Sequence, residues 1–175
     1  MAYALYCVIP FSKLNNSNRT IKDAAEIIGR SPAALKMKIC NLAALDPDFL
    51  ATGRVGLWGG ISKLDREIYE EFSKDWEGLS MKAESIVGLP LFDLTEPVYN
   101  GDPHRKKSYA EIADKQARKF FRKSVISAYE GRCCITGQSI PQMVIASHIK
   151  PYYVCDKSER ANPANGLLLN AFYDR

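Results

Sequence analysis

A histidine near the end of the chain has the residue type and the position best suited to acid–base chemistry. His148 ends an apolar run that begins at Met143, and Pro151 follows shortly after it. An apolar run stopped by proline predicts a strand that delivers this histidine at its end. An imidazole exchanges a proton near neutral pH and can act as a general base. Taken alone, such a histidine is more often a buried or capping residue.

A second apolar run follows a turn signal. Asn165-Gly166 is a typical turn dipeptide, and residues 167–170 after it are apolar up to a closing asparagine. The pattern predicts two strands joined by a loop. Residues 171–174 then predict the beginning of a helix, which would make the whole a ββα unit.

These motifs resemble the HNH endonuclease family. The resemblance covers about residues 117–175 and is carried by Cys133-x-x-Thr136-Gly137, by Ser147-His148-Ile149-Lys150-Pro151 and by Asn165-Gly166-Leu167-Leu168-Leu169. It implies that His148 is the general base and that Asn165 orders the loop and helps orient that histidine. It also implies that Asp174 binds a divalent metal.

The chemistry of such a nuclease explains these residue types. Phosphodiester hydrolysis needs a base to activate water and a cation to stabilise negative charge. The expected metal is Mg²⁺ or Mn²⁺, with Ni²⁺ or Zn²⁺ as alternatives. Ser147 stands where many members carry an Asp or His ligand, so it is expected to be a weak ligand. The family pattern continues beyond Arg175 as an apolar helix, so the module is expected to be cut short and the metal loosely bound.

The first part of the chain predicts helices. Thr20 is predicted to cap an apolar helical pattern that Gly29 closes, and Ser31-Pro32 begins a second helix. Lys36, Lys38 and Asn41 are predicted to face outward from the second helix. Two helices at a tight corner suit a DNA-binding helix-turn-helix; an ordinary helical hairpin fits this part of the sequence equally well. The segment also resembles the region that often precedes this nuclease module.

The middle of the chain predicts a further helix at residues 64–76, a linker at 88–108 and a basic helix from Tyr109 to Tyr129. The division is therefore a helical, DNA-binding domain at 1–87 and a nuclease module at 109–175. The phosphate-binding candidates are all basic: Lys36, Lys38, Lys115, Arg118, Lys119, Arg122, Lys123 and Lys150.

Composition limits the class of protein to which the chain can belong. Hydrophobic residues make up 46% and charged residues 25% of the 175 residues, as in a globular protein. No membrane span or secretory signal is recognisable, so a cytoplasmic location is expected. Five cysteines without a CxxC pair argue against a disulfide framework and a structural zinc site. Residues 1–100 hold 11 Lys/Arg against 13 Asp/Glu and residues 101–175 hold 13 against 7, which weakly favours an anionic partner for the second part.

The sequence therefore predicts an α+β protein with a helical N-terminal domain and a C-terminal ββα-metal module. The predicted function is metal-dependent cleavage of double-stranded DNA, of restriction type, in a chain that also forms a homo-oligomer. The alternative is a non-catalytic DNA-binding protein with an inert nuclease module. A metal or redox site at Cys133-Cys134 is a third, weaker hypothesis.

Overall fold

The structure is a computed structural model that describes residues 1–87 and 109–174. Within these residues the chain forms eight α-helices and one antiparallel sheet of two strands. This arrangement confirms the predicted α+β class. The predicted linker at 88–108 lies outside the described residues, and the division into two domains stays a prediction.

Six helices precede residue 88. They are α1 (Ala2–Val8), α2 (Arg19–Ile27), α3 (Pro32–Ala43), α4 (Pro47–Ala51), α5 (Lys63–Phe72) and α6 (Trp76–Val87).

The corner between α2 and α3 has the predicted form. Gly29 adopts a φ of +63°, which an L side chain rarely tolerates, and so ends α2. Ser31 then accepts the backbone N–H of Ala34 at 3.2 Å and begins α3. The predicted cap at Thr20 is wrong, because Asn18 caps α2 by accepting from Ile21 and Thr20 lies inside the helix.

The outer face of α3 is more covered than the sequence predicts. Asn41 is only 2% exposed, and Lys38 forms a salt bridge of 2.7 Å with the buried carboxylate of Asp65. The prediction that these side chains face outward is therefore wrong for Asn41. The physical reason is that α5 and the turn Trp58–Gly60 pack on this side of α3.

The helix predicted at residues 64–76 ends at Phe72, and a second helix begins at Trp76. Ser62 and Asp65 form a capping box that begins α5, which ends at Phe72. Asp75 then accepts the backbone N–H of Gly78 at 2.9 Å, as a residue at the start of a helix does. The competing cap at Asp75 explains why one amphipathic pattern gives two elements.

The C-terminal part contains the predicted basic helix and hairpin. Helix α7 spans Tyr109–Ala128, strand β1 spans Val144–His148, α8 spans Lys157–Arg160 and β2 spans Gly166–Asn170. The strands are antiparallel, with His148 opposite Gly166 and Val144 opposite Asn170. Residues 171–173 form a turn rather than the first residues of a helix, closed by a 2.8 Å bond from the Tyr173 N–H to the Asn170 carbonyl.

Two clusters of buried apolar side chains meet at α7. One joins α1, α2, α3 and α6 to Ala117 and Phe120 of α7. The other packs Phe121 and Val125 of α7 against Val144 and Leu168 of the hairpin. Helix α7 therefore connects the N-terminal helices to the strands.

Gly166 lets the hairpin approach α7 closely. A Cβ atom at this position would lie 2.4 Å from Val125 Cγ2 and 2.8 Å from Phe121 Cζ, both inside van der Waals contact. The glycine opposite His148 is thus required for packing, whereas its extended backbone, with a φ of −129°, would accept any residue. No helix in the described ranges is both long and apolar enough to cross a membrane.

Candidate functional site

His148 lies at the end of β1 with one ring nitrogen fixed. Its Nε2 is 3.0 Å from the backbone carbonyl oxygen of Arg160, at the end of α8. A carbonyl oxygen can only accept a hydrogen bond, so Nε2 carries the ring proton. In the neutral imidazole Nδ1 then has the free lone pair, which is the requirement for a general base.

Two aromatic rings hold the imidazole. Phe121 of α7 stacks on it with ring centroids 3.6 Å apart and an interplanar angle of 11°. Tyr152 is arranged edge to face with it, at 5.4 Å and 78°. The ring plane of His148 is therefore set by α7 and by the turn Tyr152–Val154, and not by β1 alone.

Tyr152 is itself held by charged residues of α7. Its hydroxyl donates to Asp114, and the Arg118 guanidinium lies 3.7 Å from the centre of its ring. Burial first, and then the hydrogen bond to Asp114, raise the pKa of Tyr152 to about 12. Tyr152 is accordingly a neutral donor at any physiological pH.

The Asp114 carboxylate stays ionised in this arrangement. Burial alone would raise its pKa, but the hydrogen bonds from Tyr152 and Arg118 outweigh that effect and hold the pKa below its usual value. Arg118 pairs with Asp114 at 3.0 Å. A charged network on α7 therefore holds the tyrosine that contacts the imidazole.

Asn165 orders the loop that leaves β1. Its Oδ1 accepts the Lys150 N–H at 2.9 Å, and its backbone carbonyl accepts the Ile149 N–H at 2.9 Å. Its Nδ2 points to Cys155 Sγ at 3.3 Å, and the Cys155 thiol donates to the Lys150 carbonyl at 3.2 Å. These bonds fix the two residues that follow His148, and the role of Asn165 in orienting that histidine stays a prediction.

Lys150 is engaged within the loop. Its Nζ forms an ion pair with Glu159 of α8, and that hydrogen bond raises the pKa of Lys150. Asp156 begins α8 through a capping box with the same Glu159. The predicted phosphate contact of Lys150 thus competes with a salt bridge that also holds α8 in place.

The predicted metal ligands lie apart along the hairpin. Ser147 pairs with Leu167, and strand alternation directs its side chain to the face opposite His148. Asp174 follows the far end of β2, beyond the residue that pairs with Val144. His148 and Asn165 are brought together at one end, whereas Asp174 follows the other end.

The positions of Ser147 and Asp174 decide whether these residues could together hold the divalent metal that the family implies. Within residues 1–87 and 109–174, no group of three or more His, Cys, Asp or Glu side chains is placed to hold a metal ion. A hard divalent cation prefers several oxygen ligands around it. The side chains in this part of the chain therefore do not fit a three-ligand metal site by themselves.

The predicted basic residues of α7 share one side of the helix. Lys115, Arg118, Lys119 and Arg122 follow one another at spacings of three, one and three residues, and Lys123 lies four after Lys119. Lys115 is exposed, Lys119, Arg122 and Lys123 are half-buried, and Arg118 stacks on Tyr152. The site and the basic side of α7 therefore adjoin at Arg118.

The C-terminal segment matches a known family. Residues 133–175 match the family model described as HNH endonuclease. The match confirms the resemblance drawn from the motifs and supports nuclease activity in general. No curated protein and no solved structure matches the chain.

Sequence reasoning missed the residues that position His148. None of Phe121, Tyr152 and Asp114 is a candidate site residue on the sequence alone. Asp114 and Tyr152 are 38 residues apart in the chain, and no periodic pattern links them. The one available signal was the aromatic pair Tyr152-Tyr153 directly after the proline that ends the strand.

Proposed function

We propose that the protein is an endonuclease that hydrolyses phosphodiester bonds of double-stranded DNA, with His148 as general base. The observation that carries the proposal is the 3.0 Å contact between His148 Nε2 and the Arg160 carbonyl oxygen, from which the tautomer follows. Its Nε2 bond to the Arg160 carbonyl leaves Nδ1 free to take a proton. The match of residues 133–175 to the HNH endonuclease family supports the same chemistry.

The proposed reaction uses water as the nucleophile. Nδ1 of His148 takes one proton from a water molecule while the water oxygen forms a bond to phosphorus. The bond between phosphorus and one sugar oxygen then breaks, and that oxygen takes a proton from solvent. The imidazolium returns its proton to solvent. The Arg160 carbonyl stabilises the imidazolium because it accepts from the N–H opposite the reacting nitrogen.

The proposed activity depends on a divalent ion, and a cleavage assay with and without the ion tests this. We expect cleavage with Mg²⁺ or Mn²⁺ and none with EDTA, since such an ion would supply stabilisation of developing negative charge. Asp174 and Ser147 stay predicted ligands. The restriction-type role, the cytoplasmic location and the homo-oligomer also stay predictions.

The proposed DNA contacts are the basic side chains of α7. Lys115, Arg118 and Arg122 lie on the helix that carries Phe121, the residue stacked on His148. Phosphates bound along this helix would therefore lie near the proposed base. Such contacts position DNA without reading its sequence.

The test is a plasmid-nicking assay on His148→Ala, with Tyr153→Ala as the matched control because Tyr153 is 84% exposed. We expect the first variant to lose about 10²–10⁴-fold in cleavage rate and to keep DNA binding. The control should cleave at the normal rate. Full cleavage by His148→Ala would reject the proposed base.

A second candidate function is DNA binding without cleavage. The predicted helix-turn-helix favours it, because α2 and α3 meet at the Gly29 corner and Arg30 on that corner is exposed. A gel shift in EDTA, combined with no nicking under any metal, would support this function over the endonuclease.

A further inference from the structure

A cavity lies on the N-terminal helices, away from His148. It has a volume of about 490 Å³ and is formed by the corner between α2 and α3, by α3 itself, by the start of α1 and by the turn Trp58–Gly60. This volume is within the range of small-molecule sites. Its lining is apolar with a few polar groups and includes Arg30, Leu35, Met37, Lys38, Asn41 and Gly60.

One buried polar atom of this lining has no hydrogen-bond partner among the residues that the structure describes. Asn41 is 2% exposed, and its Oδ1 is buried without a hydrogen bond. The orientation of the amide is fixed, because Nδ2 donates to the Gly60 carbonyl at 2.9 Å and that oxygen can only accept. A buried acceptor without a partner is rare and destabilising. The cavity thus lacks a donor that a ligand can supply.

The Asn41 amide is closely packed against Gly60. A Cβ atom on Gly60 would lie 3.0 Å from Asn41 Nδ2, so a side chain there would require the amide to shift by a few tenths of an ångström. Lys38 reaches the Gly60 carbonyl at 3.4 Å while it holds Asp65. The Gly60 carbonyl therefore fixes the Asn41 amide, and Lys38 donates to the same carbonyl.

The remaining lining has an apolar wall and a cation. Leu35 is buried. Met37 is 52% exposed, and its flexible side chain can pack against a flat ring. The Arg30 guanidinium makes no ion pair or side-chain hydrogen bond within the described ranges. An acceptor, an apolar wall and a free guanidinium together suit a flat ring that carries an N–H donor and a phosphate.

We propose that this cavity binds a nucleotide. An exocyclic amine of the base donates to Asn41 Oδ1, the base lies against Leu35 and Met37, and the phosphate pairs with Arg30. The nucleotide is either free in solution or part of DNA, as a base turned out of the duplex. Binding of a base turned out of DNA rests on the proposed function, whereas binding of a free nucleotide does not.

The first arm of the test uses free nucleotides. Calorimetric titration of the full chain with dAMP should show binding, and the same purine nucleotide without the amine should bind about threefold to tenfold more weakly, as expected for one lost hydrogen bond. Arg30→Gln should weaken dAMP binding but leave deoxyadenosine binding unchanged. Arg19→Gln is the matched control, because Arg19 is 93% exposed outside the cavity.

The second arm uses a duplex with a 2-aminopurine opposite a mismatch, whose fluorescence rises when the base leaves the stack. Ala34→Trp blocks the cavity from an exposed position, and Ala33→Trp is its control, since Ala33 is exposed on the same helix and does not line the cavity.

Each outcome decides the proposal. Free dAMP binding that disappears in Ala34→Trp but is kept in Ala33→Trp supports a free nucleotide, and a fluorescence rise with the same dependence supports a DNA base. Absence of both signals, or equal signals in the two variants, overturns the proposal. Nicking by the wild-type chain is measured in parallel, so a failed endonuclease function is distinguished from an empty cavity.

Discussion

Phe121 lies parallel to the His148 imidazole at 3.6 Å, while its neighbour Phe120 packs 6.2 Å from Trp76 in the other core cluster. Successive helical residues point about 100° apart, so the two neighbouring rings pack in different clusters. Only Phe121 contributes to the proposed catalytic site.

Phe121→Leu should lower the cleavage rate about 10- to 100-fold, because the imidazole loses the surface that fixes its plane and small misplacements of a base are costly. The measurement is single-turnover nicking, together with the NMR shifts of the His148 ring protons, which the stacked ring displaces. DNA affinity should not change.

Phe120→Leu is the matched control for that variant. It removes a ring of the same size from the other cluster and should lower the free energy of unfolding by about as much, roughly 1–3 kcal/mol. Its His148 signals should stay in place. Equal loss of cleavage in both variants would show that general destabilisation, and not the stack, accounts for the effect.

Asn165→Ala should release the loop after β1, because the side chain supplies an acceptor to Lys150 and a donor to Cys155. We expect cleavage to fall by about tenfold or more while DNA binding is kept, since the loop fixes the residues that follow the base. Asn16→Ala is the control. Asn16 is exposed in the turn before α2 and should leave the rate nearly unchanged.

Lys38→Met should destabilise the fold by about 1–3 kcal/mol, because it leaves the buried Asp65 carboxylate without its charged partner. Lys36→Met changes the same residue type on the same helix and should stay within about 0.5 kcal/mol of the wild type. Urea unfolding measures both. Matching losses in the two variants would contradict a structural role for the Lys38 pair.

The Lys38 pair also predicts a pH dependence. Burial alone would raise the pKa of Asp65, but the bonds from Lys38 and Ser62 hold it below its usual value. A carboxyl with a lowered folded pKa stabilises the fold above its unfolded pKa of about 3.9, and that contribution disappears as the pH falls below it. The stability gap between wild type and Lys38→Met should therefore narrow as the pH falls from 7 to 3.

A triple change of Lys115, Lys119 and Arg122 to Gln should weaken DNA binding and flatten its salt dependence. Removal of one phosphate contact reduces the slope of log K against log salt by about 0.9. The control is Lys13, Lys22 and Lys74 to Gln, which removes the same charge from exposed positions elsewhere. An identical slope in both triple variants would mean that only net charge matters.

The sequence was sufficient for the elements that carry local signals. Apolar runs bounded by turn residues located β1 and β2, and the Gly29 and Ser31-Pro32 signals located the α2–α3 corner. The positions of His148 and Asn165 followed from the same patterns. Long-range partners could not be predicted, because Lys38 and Asp65 are 27 residues apart and nothing local marks Asp65 as buried. The sequence also does not distinguish Phe120 from Phe121, since only tertiary packing decides which ring faces the hairpin.

Helix α7 has a consequence for how this chain tolerates sequence change. Its two neighbouring rings are rigidly linked, so a substitution that rotates the helix to refill a void beside Trp76 also turns Phe121 relative to His148. Mutations in the N-terminal helices are therefore not independent of mutations in the hairpin. We expect compensating pairs to arise across α7, with the second change restoring the imidazole plane that the first one disturbed.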